Sequence, residues 1–384
     1  MRSSVLFILS LFSILVGQPS FTATSITTST NGAQSVYAVD MDGDGDMDVL
    51  SASILDDKIA WYENNGSESF TAATITSSAD EAHSVYAVDM DGDGDIDVLS
   101  ASHGDDKIAW YENNGSESFT AANINTSADG AYSVYAVDLD GDGDIDVLSA
   151  SRLDDKIAWY ENDGSESFAA ATITTSADDA RSVYAVDLDG DGDIDVLSAS
   201  HGDDKIAWYE NNGSESFTAH SITTSADGGF SVFAADIDND GDIDVLSSSG
   251  TDSKIAWYEN DGSESFTAAT ITTSASSARS VYAVDVDGDG DIDVLSASND
   301  DDKIAWYEND GSESFTAATI TTSADGAKFV YAVDMNGDDD IDVLSASYLD
   351  DTIAWYENNT APTVSSLSPA DGATGVATTA NLVI

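Results

Sequence analysis

The chain has 384 residues, with 73 acidic side chains against 11 Lys and Arg and a formal charge of −62. That balance disfavours nucleic acid, whose binding rests on rows of Lys and Arg, and makes cations the natural partners of any compact state. The lack of Cys excludes disulfide frameworks and thiolate zinc sites, whereas 41% hydrophobic residues with 7 Trp, 15 Tyr and 12 Phe give ample core for folding.

In chain order, Arg2 precedes the apolar run Val5 to Val16 and then Gly17 and Gln18, which is the pattern of a secretory signal over residues 1–17. The run is too short to span a bilayer, which takes about 20 apolar residues. A mature chain starting near Gln18, secreted or at the cell surface, is expected. Phe21 to Ile26 then reads as a strand, Ser35 to Val39 as a second, and between Val39 and Val49 lies Asp40-Met41-Asp42-Gly43-Asp44-Gly45-Asp46-Met47-Asp48.

Carboxylates at alternate positions around a turn are what a hard, oxygen-seeking cation requires. In EF-hand logic, positions 1, 3 and 5 give side-chain oxygens, position 6 is Gly, position 7 gives a carbonyl, and position 9 closes the shell. The bidentate Glu of position 12 is replaced by Ser51, and a strand follows instead of a helix, so the stretch reads as a compact calcium loop within a β-hairpin. Extracellular calcium modules bind with constants on the order of 0.1 to 1 mM.

The loop recurs without a gap every 49 residues, its first Asp at positions 40, 89, 138, 187, 236, 285 and 334. The expected ligands are Asp40, Asp42, Asp44, Asp46 and Asp48; Asp89, Asp91, Asp93, Asp95 and Asp97; Asp138, Asp140, Asp142, Asp144 and Asp146; Asp187, Asp189, Asp191, Asp193 and Asp195; Asp236, Asp238, Asp240, Asp242 and Asp244; Asp285, Asp287, Asp289, Asp291 and Asp293; and Asp334, Asn336, Asp338, Asp340 and Asp342. Up to seven Ca2+ ions follow.

Each unit continues with Val49 to Ser53, a short Asp56-Asp57-Lys58 turn, Ile59 to Glu63, an Asn65-Gly66 hairpin signal and Phe70 to Ile75. Repetition at this period with four antiparallel strands per unit predicts an all-β, seven-bladed propeller over residues 18–360. Apolar groups on both faces of Ile59-Ala60-Trp61-Tyr62 suit sheets buried on both sides, so Trp61, Trp110, Trp159, Trp208, Trp257, Trp306 and Trp355 are expected between blades. The seventh unit stops after Ile353 to Glu357, and Phe21 to Ile26 supplies the missing strand, closing the ring. Beyond it, residues 361–384 read as the start of a truncated Ig-like domain or as a disordered tail.

These loops and strands resemble the FG-GAP/VCBS repeat family, whose seven-bladed propeller is shared with the integrin α-subunit head, over roughly Phe21 to Asn358. The resemblance implies calcium in the loop between the first two strands of each blade. The seventh copy departs, with Asp339 in place of the turn Gly, and is expected to be the weakest site; the fifth changes only position 4, to Asn239.

The informative variation between copies lies in two series. Just before the first strand stand Gln34, His83, Tyr132, Arg181, Phe230, Arg279 and Lys328; between the second and third stand Ile54, His103, Arg152, His201, Gly250, Asn299 and Tyr348. In an antiparallel blade both connections open on the face opposite the calcium loops. Apart from Arg2 and the repeated turn lysines, the remaining cations are Arg152, Arg181, Arg279 and Lys328, all in these series. Exposed loops tolerate drift, but drift has no reason to prefer Arg, His, Tyr and Phe in so acidic a chain. The first series is therefore the candidate ligand site, with Arg181 and Arg279 gripping an anion and Tyr132 and Phe230 stacking. A single propeller in a longer multidomain chain, binding a glycan or protein ligand on this face, is the leading expectation. A polysaccharide-degrading propeller and a structural spacer are the alternatives, and no triad, histidine metal site or nucleotide loop accompanies the former.

Overall fold

The computed structural model describes residues 19–116, 118–214 and 216–359; the expected leader (1–17) and the C-terminal stretch (361–384) lie outside them. The described residues form twenty-eight strands, numbered β1 to β28 in chain order, and no helix. No segment among them is a helix long and apolar enough to cross a membrane.

The strands make seven four-stranded antiparallel sheets. The first runs β2 (Ala33–Val39), β3 (Asp48–Ser53), β4 (Lys58–Asn64) and β5 (Phe70–Thr76). Each strand is one or two residues longer than the sequence reading, because pairing continues, for example, into the acidic loop at Asp48 and the hairpin at Asn64. The last blade joins β26 (Ala327–Val333), β27 (Asp342–Ser347) and β28 (Thr352–Asn358) to β1 (Phe21–Thr27).

β1 reproduces the register of β5. Phe21 faces Asn358 and Thr27 faces Ile353 across a bulge, as Phe70 faces Asn64 and Thr76 faces Ile59. Thr30 N donates to Asp351 O at 3.1 Å, matching Ala79 N to Asp57 O at 3.0 Å between the first two blades. The ring is thus closed by a strand from the other end of the chain, which leaves no blade incomplete.

The core lies between blades. Trp61, 2% exposed, packs with Ala79, Ala82, Val85 and Tyr111 of the next blade and meets Phe119 edge-on at 6.4 Å. All seven repeated tryptophans are buried in this way, because each sheet presents an apolar face to both neighbours. Asn113 Nδ2 crosses the same interface to Met41 O at 3.5 Å.

Candidate functional site

On one face of the ring, each acidic loop is folded by its own carboxylates. Asp89 accepts Gly92 N at 2.8 Å and Gly94 N at 3.1 Å, Asp91 accepts Asp93 N at 3.1 Å, and Asp93 accepts Asp95 N at 2.9 Å. These bonds hold the chain in a tight turn that needs Gly94 at φ 97°. The result brings three carboxylate oxygens within 4.8 Å of one another in at least five loops: Asp40, Asp42 and Asp44; Asp89, Asp91 and Asp93; Asp138, Asp140 and Asp146; Asp187, Asp189 and Asp195; Asp236, Asp238 and Asp244. Burial first, then the charges of Asp93 and Asp89, hold the Asp91 carboxyl above its ordinary range. An oxygen-only cluster of like charges fits a hard divalent cation, and these groups can hold a metal ion.

The seventh and ninth positions are also held by the protein itself, although the ninth joins the cluster in the third to fifth loops as Asp146, Asp195 and Asp244. Asp46 leans against Gly66 of the hairpin turn, filling the space a side chain there would take, so loop and hairpin share one face. Asp48 is fully buried, and its two oxygens accept Asn64 N at 2.7 Å and Met41 N at 3.2 Å. Burial raises Asp48 to about 6, and the equivalent Asp342 to about 7. In the seventh loop Asp339 holds the left-handed conformation at φ 71° without being Gly, and Asn239 does the same at position 4 of the fifth, at φ 60°.

The opposite face carries the variable residues. Gln34, His83, Tyr132, Arg181, Phe230, Arg279 and Lys328 converge on one cavity at the mouth of the axis. They lie inside the innermost strands and not ahead of them: Ala33 pairs with Ser53 and Ser35 with Ala52, leaving Gln34 as the extra residue of a bulge, and the same irregularity recurs in every blade. A bulge re-aims its side chain, which explains how one position from each blade reaches a common centre.

Aromatic and cationic groups alternate around this mouth. His83 stacks on Tyr132 at 4.3 Å, the Arg181 guanidinium lies 4.8 Å from Tyr132 and 4.9 Å from Phe230, and that of Arg279 lies 3.9 Å from Phe230. Burial, then the charges of His103 and Arg181, press His83 down to about 3, so it is neutral. The second series stands behind the first. His103 meets Glu81 at 2.9 Å, and Arg152 and His201 reach Asp179 at 2.7 and 3.3 Å.

Arg181 departs from its expected role. Its Nε and a terminal nitrogen each donate to Asp179 at 2.8 Å, and its side chain is 9% exposed. Burial alone would raise Asp179, but the bonds from Arg181 and the charges of Arg181 and Arg152 outweigh it and hold the carboxyl low. A guanidinium already gripped at both ends of its fork is a structural part of the wall. Reversing its charge would set a carboxylate against Asp179, so that change would not be silent in melting.

Beneath the mouth lies a feature the sequence reading missed. Tyr37, Tyr86, Tyr135, Tyr184, Phe233, Tyr282 and Tyr331 form a closed girdle, each ring centroid 4.7 to 5.2 Å from the next, around a cavity of about 200 Å³. Burial pushes the Tyr282 hydroxyl up to about 12. The signal was an aromatic repeated on the innermost strand, whose axis-facing side has no neighbouring blade to pack against.

Six overlapping matches to the FG-GAP-like repeat cover residues 40–100, 89–149, 138–198, 187–247, 236–296 and 285–345. The chain belongs to the FG-GAP-like repeat family. No curated protein matches the sequence. Among solved structures, this FG-GAP-like propeller is similar to a streptogramin B lyase (15% identity, TM-score 0.61, 88% of this chain and 98% of the other). It is also similar to a catalytically inactive virginiamycin B lyase from Staphylococcus aureus with quinupristin (14%, 0.60, 88% and 99%). A third is BBS1N in complex with ARL6DN (11%, 0.61, 91% and 99%). At these identities the likeness is one of fold.

Proposed function

We propose that this FG-GAP-like propeller is an extracellular, calcium-stabilised binding module that takes a glycan or protein ligand on the axial mouth. The observation that carries the reading is the division of labour between faces. One face repeats a cluster of Asp oxygens in at least five blades; the other gathers seven side chains of six kinds into one cavity. Leu55, Leu153 and Leu349, between 55% and 61% exposed, stand on the mouth face too, against Gly32, Gly130 and Gly326. Apolar, aromatic and cationic groups together suit recognition. A glycan array probed with the calcium-loaded protein tests the reading: bound glycans that are lost on changing mouth residues support it, and turnover without retention favours an enzyme.

An enzymatic reading has the lyase folds and one arrangement on its side. Glu81 orients His103 through Nδ1 at 2.9 Å, as a carboxylate does for a general base. The remaining nitrogen, Nε2, is buried without a partner beside His83, so it reaches no substrate unless its neighbours move. The binding reading needs no such movement.

A further inference from the structure

Arg181 and Arg279 occupy the same bulge position in the fourth and sixth blades, yet only one has an acidic partner. Two residues before Arg181 stands Asp179, which grips it; two residues before Arg279 stands Ser277, which brings no charge. The backbone is the same in both places, φ 55° at Asp179 and 56° at Ser277. Arg279 Nε is consequently buried with no hydrogen-bond partner.

Lys328, on the adjoining blade, rests its ammonium 5.0 Å from the Tyr348 ring and has no ion pair among the described residues. The carboxylate whose charge acts on both cations, Asp300, is exposed and bonded to Asn299 at 2.6 Å. Burial first, then the Arg279 charge, holds Lys328 down at about 8. Two half-buried cations, one with a buried orphaned donor, thus stand on adjoining blades in a chain of charge −62. Such an arrangement is unfavourable unless an anion completes it.

We propose that the sector of the mouth from Phe230 to Gln34 binds the oxyanion group, carboxylate or sulfate, of an acidic ligand, with Arg279 as the bidentate donor and Lys328 as the second charge. This deepens the reading of the mouth as the ligand face and rests on it. The cavity, about 80 Å³, admits one small anionic group, and the remainder of the ligand lies outside over the leucines.

The test uses the calcium-loaded protein with sodium sulfate and sodium glucuronate as probes, against chloride at equal ionic strength, read by calorimetric titration and melting. At least one probe is expected to bind and raise the melting temperature, and the comparison separates tetrahedral from planar anions. Ser277→Asp rebuilds in the sixth blade the ion pair of the fourth. It is expected to melt above the wild type while losing about tenfold or more in affinity, the scale of a charge-assisted bidentate contact. Arg279→Gln is expected to lose affinity similarly without melting lower. No binding of either probe, or wild-type affinity in both variants, would overturn the anion site. If a neutral glycan or peptide binds instead and is lost in Tyr132→Ala, the mouth remains the ligand face and only the anion site falls. Binding that responds solely to changes on the acidic-loop face would overturn both.

Discussion

The carboxylate of Asp48 accepts the backbone N–H of Asn64 at 2.7 Å, and its second oxygen accepts that of Met41. One buried side chain therefore ties the acidic loop to β4, and the same bonds recur in every blade, for example from Asn162 and Leu139 to Asp146. The ninth loop position is thus a structural staple, whatever cation the loop holds.

That staple separates two kinds of loop variant. Asp146→Asn puts an amide N–H against the N–H of Leu139 or Asn162, leaving a buried donor unsatisfied. A loss of about 1–3 kcal/mol is expected, by denaturant titration, in chelator as well as in calcium. Asp140→Asn keeps an oxygen to accept Asp142 N and removes a charge from the cluster, so its loss is expected in calcium alone.

Stability of the calcium-free protein should fall with rising pH. Buried Asp48, Asp97, Asp146, Asp195 and Asp244 sit near 6, and Asp293 and Asp342 near 7, all raised from 3.8 by burial. A carboxyl whose folded pKa is raised stabilises fully below its unfolded value, and that contribution is lost as pH climbs through the folded one. Melting temperature in chelator is expected to decline between about pH 4 and 7. Saturating calcium, which favours the ionised loop, should flatten the decline.

His83 sets an acid limit at the mouth. Its folded pKa, about 3, lies below the ordinary 6.5, so its contribution is present above 6.5 and lost as pH falls toward 3. His83→Phe keeps the stack on Tyr132 and removes the titration. The melting difference between variant and wild type should widen in the variant's favour as pH drops through that window.

Asp339 carries strain at the sixth loop position that the other loops avoid with Gly there. A non-Gly residue in the left-handed region costs about 1–2 kcal/mol, and somewhat less for Asp. Asp339→Gly is expected to raise melting by up to a few degrees and to strengthen the weakest step of a calcium titration.

Closure by β1 gives a paired prediction. Removing residues 19–27 strips the partner from Trp355 and Tyr356 and exposes the edge of β28. Aggregation by light scattering is expected, whereas removing 361–384 should leave melting unchanged. Equal tolerance of the two deletions would contradict the closure.

Blade count, strand order and ring closure were legible because each rests on local pattern: a fixed period, a turn and a displaced Phe21 to Ile26. The inter-blade place of the tryptophans followed from apolar residues on both strand faces. Less legible was whatever depends on pairing across blades. Asp179 joins Arg181, two residues away, to Arg152, 27 residues back in the preceding blade, and no spacing rule shows that one carboxylate holds both. The bulge at Gln34 was equally hidden, since one unpaired residue leaves the alternation almost intact. The girdle of Tyr37 and its equivalents looked like ordinary strand core until the innermost strands were seen to line the axis.

The central claim is that calcium and fold are linked through the acidic loops. Melting of the protein with calcium or with excess chelator tests it most directly, since a ligand that binds only the folded state adds RT ln(1 + [L]/Kd) per site. At ten times Kd that is about 1.4 kcal/mol for each loop, so a rise of many degrees is expected, growing with calcium concentration. Superimposable melting curves in calcium and chelator would contradict the account.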